Sequence, residues 1–553
     1  MRFFIVSNPA TGQVNPLLAI SHELCLRGHQ VVLASSDPIL KKIAKLQAKL
    51  GYPQQVDLRP SRKTWGEYPL MFYSLGSGQA LDDYTDEASS DPERFHTRGR
   101  SPPGQIWDWV HTFMELVPAK STVYRDVVFH IRDIVGEMDP DMLIVDNFSP
   151  FAVDGARLTK RPFIETSPGA SSAVVNSFSL YDKPMPMSGA RDGHGGLLVF
   201  LHNLVFIFLW LKFVLFNPWP RTRRAFRREL GLEPVDLICD SLMTPTPGML
   251  PQQVATITFN VAGTDYYPAD AYDNSVFFVG PCLPPKEKPR ALSPRAPMTP
   301  ITSADMSPLS TASTPTVVDM PLEKELSSIQ VSVSEVQDPV KLWLDQAYYN
   351  GCPVVYINLG SIFYYRREDY DNMVEALKQL REKVPNVQVL WKVPDLPYKV
   401  QPIPPKHEAH LPDFIRRETW LESVQTVLEH PATAVCVHHG GGNSYNEAMY
   451  YGIPQFGITQ WVDTHDVGAF IKHSGVGLWA DKSPQFDPKD ISEKLSQIVL
   501  DEGHKFQRNA LSWKVKTRQA GGTKVAADII ESYVSQFKYP SGSSKLPWVD
   551  TVV

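Results

Sequence analysis

No two of the five cysteines (Cys25, Cys239, Cys282, Cys352, Cys436) form a Cys-x-x-Cys pair. That argues against a structural zinc site or a disulfide scaffold and suits a reducing compartment. A basic surplus is missing too: the formal charge is -6, whereas a nucleic-acid partner favours a strongly basic surface. A secretory leader is not expected, because the apolar run at 3–7 is too short for one and Asn8-Pro9 ends it with turn chemistry. The polar stretch 538–553 offers no membrane anchor.

What is present is length. At 553 residues with 43% apolar content, the chain exceeds one ordinary core and implies two domains plus connecting material. One run stands out: Leu197–Phe216 is nearly continuous apolar sequence, interrupted by His202, Asn203 and Lys212. Its length matches a bilayer span. A span here would separate two halves that must share one active site, so a buried or membrane-surface helix is expected.

The start reads as a βαβ unit. A strand at 3–7 is followed by a turn-rich loop at 9–15. A helix at 16–27 carries Leu17, Ile20 and Leu24 on one face, and Gly28 stops it before a strand at 31–34. Residues 142–145 form a strand ending in Asp146, and 162–164 begin another. Such alternation implies parallel sheets. Pro, Ser and Thr dominate 284–337, a composition that cannot bury enough surface to order itself. The expected layout is a first α/β domain over 1–283, a flexible insertion over 284–337, and a second α/β domain over 338–553 with strands at 353–359, 387–391 and 434–438.

The chemistry concentrates in 435–477. A strand breaks into His439-Gly440-Gly441-Gly442-Asn443-Ser444, and a helix then carries Glu447 and ends at Gly452-Ile453-Pro454. Glycine-rich backbone between a strand and a helix N-terminus lets a phosphate reach bare N–H groups and the positive end of the helix dipole. Asn443 and Ser444 can cap the helix or donate to phosphate oxygens, and His439 adds a donor. Glu447, one turn in, is placed to accept from two vicinal ribose hydroxyls. The loop with Asp463 and Thr464 follows the next strand, at the carboxyl edge where such sheets bind ligands.

The segment His-His-Gly-Gly-Gly-Asn-Ser-Tyr-Asn-Glu-Ala-Met-Tyr-Tyr-Gly-Ile-Pro at 438–454 resembles the donor signature of UDP-dependent glycosyltransferases of the GT-B fold. The resemblance extends over both domains. It includes Thr-Gly-Gln-Val-Asn-Pro-Leu-Leu-Ala at 11–19, Val-Gly-Pro at 279–281 and Val-Tyr-Ile-Asn-Leu-Gly-Ser at 355–361. Trp-Val-Asp-Thr-His-Asp at 461–466 is similar to fungal members. The resemblance implies two Rossmann-like domains facing across a cleft. It places the diphosphate on His439, Asn443, Ser444 and the Gly440–Gly442 run, with Gly360 and Ser361 nearby. Ribose falls to Glu447, sugar hydroxyls to Asp463 and the base to Trp420. It implies no metal and no cofactor beyond the sugar nucleotide itself. The Asp139/Asp141 and Asp369/Asp371 pairs are read as solvated carboxylates.

The chain departs from that pattern at informative places. Gly442 stands where tryptophan is usual, and Thr464 replaces a common glutamine. Trp420-Leu421-Glu422-Ser423 replaces Trp-x-Pro-Gln. Gln13 replaces the histidine general base, and glutamine cannot take a proton near pH 7. Asp146 matches the aspartate that orients that histidine, which makes Asp146 the candidate base and Gln13 a positioning group. His22, His29 and His111 are read as surface or packing residues. The expectation is an inverting transferase, cytoplasmic or peripheral on an intracellular membrane through 197–216. Its expected donor is a UDP-sugar, and its expected acceptor a lipophilic small molecule such as a terpenoid, sterol or polyketide, met by Trp107, Trp109 and Ser167. Two alternatives stay open: a non-catalytic sugar-nucleotide-binding protein, and a nucleotide-sugar epimerase or hydrolase.

Overall fold

Phe3, Phe4, Ile5 and Val6 are all buried. Apolar at consecutive positions, such a segment has no solvent face, which is the pattern of a parallel strand covered on both sides. A computed structural model of the chain describes residues 1–51, 68–76, 101–116, 119–177, 179–189, 195–237, 240, 247–284, 338–360, 363, 365–395, 403–408, 410–460, 462–482 and 485–538. Apart from Pro284, the Pro/Ser/Thr-rich stretch expected at 284–337 lies outside the described residues.

The first domain holds β1 (Arg2–Val6), β2 (Gln30–Ser35), β3 (Leu70–Ser74), β4 (Met142–Asp146), β5 (Phe163–Ser167), β6 (Gln253–Thr258) and β7 (Val276–Phe278). They pair in the order β3-β2-β1-β4-β5-β6-β7. The second domain holds β8 (Val354–Asn358), β9 (Gln388–Lys392), β10 (Ile415–Glu418), β11 (Thr433–His438), β12 (Gln455–Thr459) and β13 (Gly477–Asp481). Their order is β10-β9-β8-β11-β12-β13. The ladders on both sides of each first strand are parallel. In each sheet the strand order reverses at the first strand, between β1 and β4 and between β8 and β11. Ligands of open α/β sheets bind at the carboxyl ends of strands at that reversal. The residues expected to carry chemistry, Gln13 and Asp146 on one side and Gly360 and His439 on the other, follow these four strands.

Two details differ from the sequence reading. The first helix runs Thr11–Leu26, so Gln13 sits in its first turn and Pro16 lies inside it. Proline at that place has no N–H for the Gly12 carbonyl four residues back, which leaves that carbonyl outside the helical ladder. The final helix, Thr523–Lys538, follows the second domain in sequence but packs on the first. Its Ala526, Ala527, Ile529, Ile530 and Val534 join Phe3, Ile5, Leu17 and Ile20 in one core. Arg27 pairs with Asp528 at 2.6 Å and Glu531 at 2.9 Å, and His29 meets Glu531 at 2.6 Å.

The two domains share a core of their own. Ala170, Tyr266 and Tyr267 of the first pack with Tyr445, Met449, Val467 and Phe470 of the second. Tyr445 donates to the Thr264 carbonyl at 3.0 Å, and the Met187 amide donates to Asp466 at 2.7 Å. One member of each aspartate pair is less solvated than expected. Asp369 is fully buried against Arg366 and Lys482, and Asp141 accepts from the Arg2 amide. Asp371 and Asp139, 54% and 33% exposed, keep the solvated reading.

Candidate active site

On the first domain, Asp146 ends β4 and is fully buried. It accepts from Ser149 Oγ at 2.6 Å, from Asn8 Nδ2 at 3.2 Å and from the Phe148 amide at 3.2 Å. Burial pushes its carboxyl up to about 7, against the pull of those donors. A carboxylate balanced between its two forms near neutral pH is suited to accept a proton. Gln13 is half-buried in the first turn of the helix that follows β1, and β1 pairs with β4. The topology therefore brings Gln13 and Asp146 to one sheet edge. Beside Asp146, on β5, Glu165 is buried and its carboxyl is raised well above the usual range by burial and by Asp146.

On the second domain, the glycines have separate steric reasons. Gly440 and Gly360 each have φ of +87°, where a side chain is strained. The His439 ring lies between Gly360 and Gly441, and a Cβ on either would come within 2.7 Å of its Cε1. A Cβ on Gly442 would stand 2.8 Å from backbone atoms of Gly169 in the first domain. That contact accounts for glycine where tryptophan is usual: the opposite domain fills the space.

The helix Gly442–Tyr451 has Gly441 as its N-cap, with no side-chain cap bond. Asn443 and Ser444 therefore do not cap it. The first helical bond runs from the Tyr445 amide to the Gly441 carbonyl, so the amides of Gly442, Asn443 and Ser444 precede the ladder and point out of the helix end. Asn443 Nδ2 donates across the cleft to the Gly12 carbonyl at 2.6 Å, the carbonyl left out of its own helix by Pro16. Asn443 thus meets the first domain, next to Gln13.

His439 is held neutral, its imidazole pushed down to about 3 by burial and by His438. Sequence reasoning missed His438. It is fully buried, accepts from the Gly440 amide on Nδ1 at 3.1 Å and meets Gln455 Oε1 through Nε2 at 2.8 Å. The amide contact makes Nδ1 the acceptor, so Nε2 carries the proton, and the ring locks the glycine turn from below. The only signal in the sequence was the His-His doublet. Glu447 is half-buried one turn along the helix, with its carboxyl pushed up to about 7 by burial.

The Asp463 carboxyl is raised to about 6 by burial, against amide bonds from Ala170 and Thr464. It therefore faces the first domain's loop after β5, and Gly169 would bring a Cβ to 3.8 Å from it. Thr464 is buried and its hydroxyl accepts from the Gln460 amide at 3.1 Å, a local role. Trp420 is 73% exposed, with Lys392 Nζ 5.0 Å from its ring centre. An indole this open is available for stacking and is not a core residue. Ser361 and the side chain of Trp109 lie outside the described residues. Ser167 ends β5 fully buried, and its Oγ has no hydrogen-bond partner among the described residues. Trp107 is partly exposed on the helix Pro102–Leu116, which packs against Leu197–Phe216 and touches the helix Val462–His473.

The chain is similar in sequence and fold to known proteins. Residues 404–531 match the family described as the erythromycin biosynthesis protein CIII-like C-terminal domain. The chain is 28% identical to erythritol-mannosyl-transferase 1 of Pseudozyma antarctica, covering 96% of this chain and 91% of that protein. It is 27% identical to the protein of the same name from Mycosarcoma maydis, over 97% and 92%. A stretch covering 35% of the chain and 38% of the relative is 27% identical to UDP-glycosyltransferase 84A2 of Arabidopsis thaliana. Among solved structures, the kitacinnamycin glycotransferase superposes with a TM-score of 0.56 at 17% identity, covering 96% of this chain and 99% of that one. The calicheamicin glycosyltransferase CalG4 gives 0.53 at 14%, over 97% and 98%. The resemblance read from 438–454 holds, and the fold is GT-B.

Proposed function

We propose that this chain, a glycosyltransferase of the GT-B fold, moves a hexosyl residue with inversion from a nucleoside-diphosphate sugar to a hydroxyl of a small molecule. The observation that carries the reading is the meeting of two half-sites. The open amides at 442–444, His439 and Glu447 stand on one domain, and buried Asp146 with Gln13 on the other. The Asn443–Gly12 hydrogen bond joins them at 2.6 Å.

In the reaction, the diphosphate sits on the helix end, where three amides and the dipole offset its charge, with His439 as a further donor. Glu447 accepts from the ribose hydroxyls, and Trp420 stacks on the base. Gln13 holds the acceptor hydroxyl in line. Asp146 takes its proton, directly or through one water. The acceptor oxygen bonds to the anomeric carbon as the bond from that carbon to the diphosphate oxygen breaks, and the nucleotide leaves with the electron pair. No metal is required in this scheme, and a UDP-sugar is the first donor to test.

The relatives matched over nearly their whole length are named as erythritol-mannosyltransferases, which supports a mannosyl donor and a polyol acceptor. The lipophilic alcohol is the second acceptor class. It rested on the apolar run 197–216, whose apolar face opens outward, with Leu198 and Phe208 83% and 66% exposed. A mass-spectrometric screen of UDP- and GDP-hexoses against polyols and lipophilic alcohols tests the reading. A product heavier than the acceptor by one hexosyl unit supports it. Nucleotide release without any such product from every acceptor would favour hydrolysis instead.

A further inference from the structure

The helix Leu197–Phe216 has two unlike faces. One is bound into the protein: Phe206, Phe213 and Val214 join the first domain's core. Asn203 is fully buried and pins that face. Its Oδ1 accepts from the Met185 amide at 2.8 Å, and its Nδ2 donates to the carbonyls of Leu180 and Lys183 at 2.8 and 2.9 Å. The other face is open. Leu197, Leu201, Leu204, Phe208 and Leu215, three, four or seven residues apart, are between 41% and 66% exposed. These spacings put them on one stripe along a helix about 30 Å long. A contiguous apolar stripe of this kind is unusual on a soluble surface and marks an interaction site.

A bilayer span is inconsistent with the pinned face, since lipid would have to surround the helix and strip Asn203 of its partners. A flat, half-sunk position is consistent with it. Charge decides the occupant. The helix carries no acidic residue and one lysine, Lys212, which borders an apolar groove of about 560 Å³ with Phe208, Leu211 and Leu215. The next helix, Pro218–Glu229, adds exposed Arg221 and Arg228. Arg221 grips the Leu215 carbonyl at 2.7 Å, which ties the cationic end to the apolar stripe. The chain as a whole is acidic, at -6, so this local cationic edge runs against the general charge. Apolar side chains bordered by lysine and arginine match a membrane surface with anionic headgroups.

We propose that the outer face of Leu197–Phe216 docks on anionic lipid bilayers, with the helix lying in the plane of the membrane and the cleft facing the aqueous side. The proposal does not depend on which sugar is moved.

Cosedimentation of the full chain with phosphatidylcholine vesicles, with and without about a third phosphatidylserine, tests this. The wild type should pellet with the anionic vesicles and less with the neutral ones. Leu201→Glu with Phe208→Glu should lower vesicle affinity roughly tenfold or more, with melting temperature and sugar transfer to a water-soluble acceptor unchanged. Lys212→Glu with Arg228→Glu should remove only the preference for anionic lipid. Wild type left in the supernatant with both vesicles overturns the proposal, as does uptake of the Leu201/Phe208 variant at wild-type strength. So does a wild-type dimer that this variant dissolves without any vesicle binding, which would give the face to a second copy. Should that variant fail to fold, quenching of wild-type tryptophan fluorescence by vesicles with brominated acyl chains decides: quenching supports insertion, and its absence overturns it.

Discussion

Replacing Asp146 by asparagine separates catalysis from folding. The side chain keeps its size and its amide oxygen can still accept from Ser149 and Asn8, which share one carboxylate oxygen of Asp146, but Nδ2 then faces the Phe148 N–H, which also donates. One frustrated donor pair in a buried site costs about 1–3 kcal/mol. Against this stands the relief of a buried charge. Raising an aspartate to about 7 corresponds to roughly 4 kcal/mol, the burden that the ionised carboxylate places on the folded state. The sign follows from linkage: a carboxyl raised on folding costs nothing below its unfolded value near 4, and the cost grows as pH rises to about 7, above which it is complete. Asp146→Asn should therefore leave the melting temperature unchanged or raised at pH 8, and lower it at pH 4. Activity should move the other way. Loss of a positioned base lowers kcat by about 10²–10⁴-fold, and the wild-type rate on a neutral alcohol should climb with pH to a plateau above about 7. Nucleotide release coupled to acceptor measures both. A folded Asp146→Asn variant with full turnover on an alcohol would refute the assignment of the base.

Other expectations follow from the same site. Gln13→His should preserve or raise the rate, because an imidazole there regains the usual partnership with Asp146; a fall in kcat at unchanged stability would count against it. Glu447→Ala should weaken UDP binding by about 1–3 kcal/mol, the cost of leaving ribose hydroxyls unpaired, as read by calorimetry; unchanged affinity would move the ribose elsewhere. Gly442→Ala should lower the melting temperature, since overpacking against the Gly169 backbone at 2.8 Å costs about 1–3 kcal/mol; a neutral result would show that the domains separate freely.

The alternating architecture was legible because doubly covered strands are continuous apolar runs such as Phe3–Phe4–Ile5, a pattern that needs no partner to be seen. The glycine turn at 440–442 was legible for a similar reason, as its chemistry lies within six residues. What escaped depends on distance. Asn-Pro at 15–16 reads locally as a loop, yet the helix begins at Thr11 and the carbonyl that Pro16 leaves open is taken by Asn443 from the other domain. The reason for Gly442 lies in a backbone 273 positions away, at Gly169. The return of Thr523–Lys538 to the first domain rests on partners roughly 500 residues upstream, and local pattern does not choose between two apolar sheets. Helix 197–216 is apolar on every side, so periodicity gave it no orientation; the buried bonds of Asn203 did.

The central claim is that two half-sites act together on a sugar nucleotide and an acceptor, and acceptor-dependent release of the nucleoside diphosphate measures it directly. With EDTA present, a hexose nucleotide and a polyol or lipophilic alcohol, release should rise with acceptor concentration, match glycoside formed one for one, and fall to background in Asp146→Asn. Release that ignores the acceptor, or no release from any donor while UDP still binds, would contradict the account.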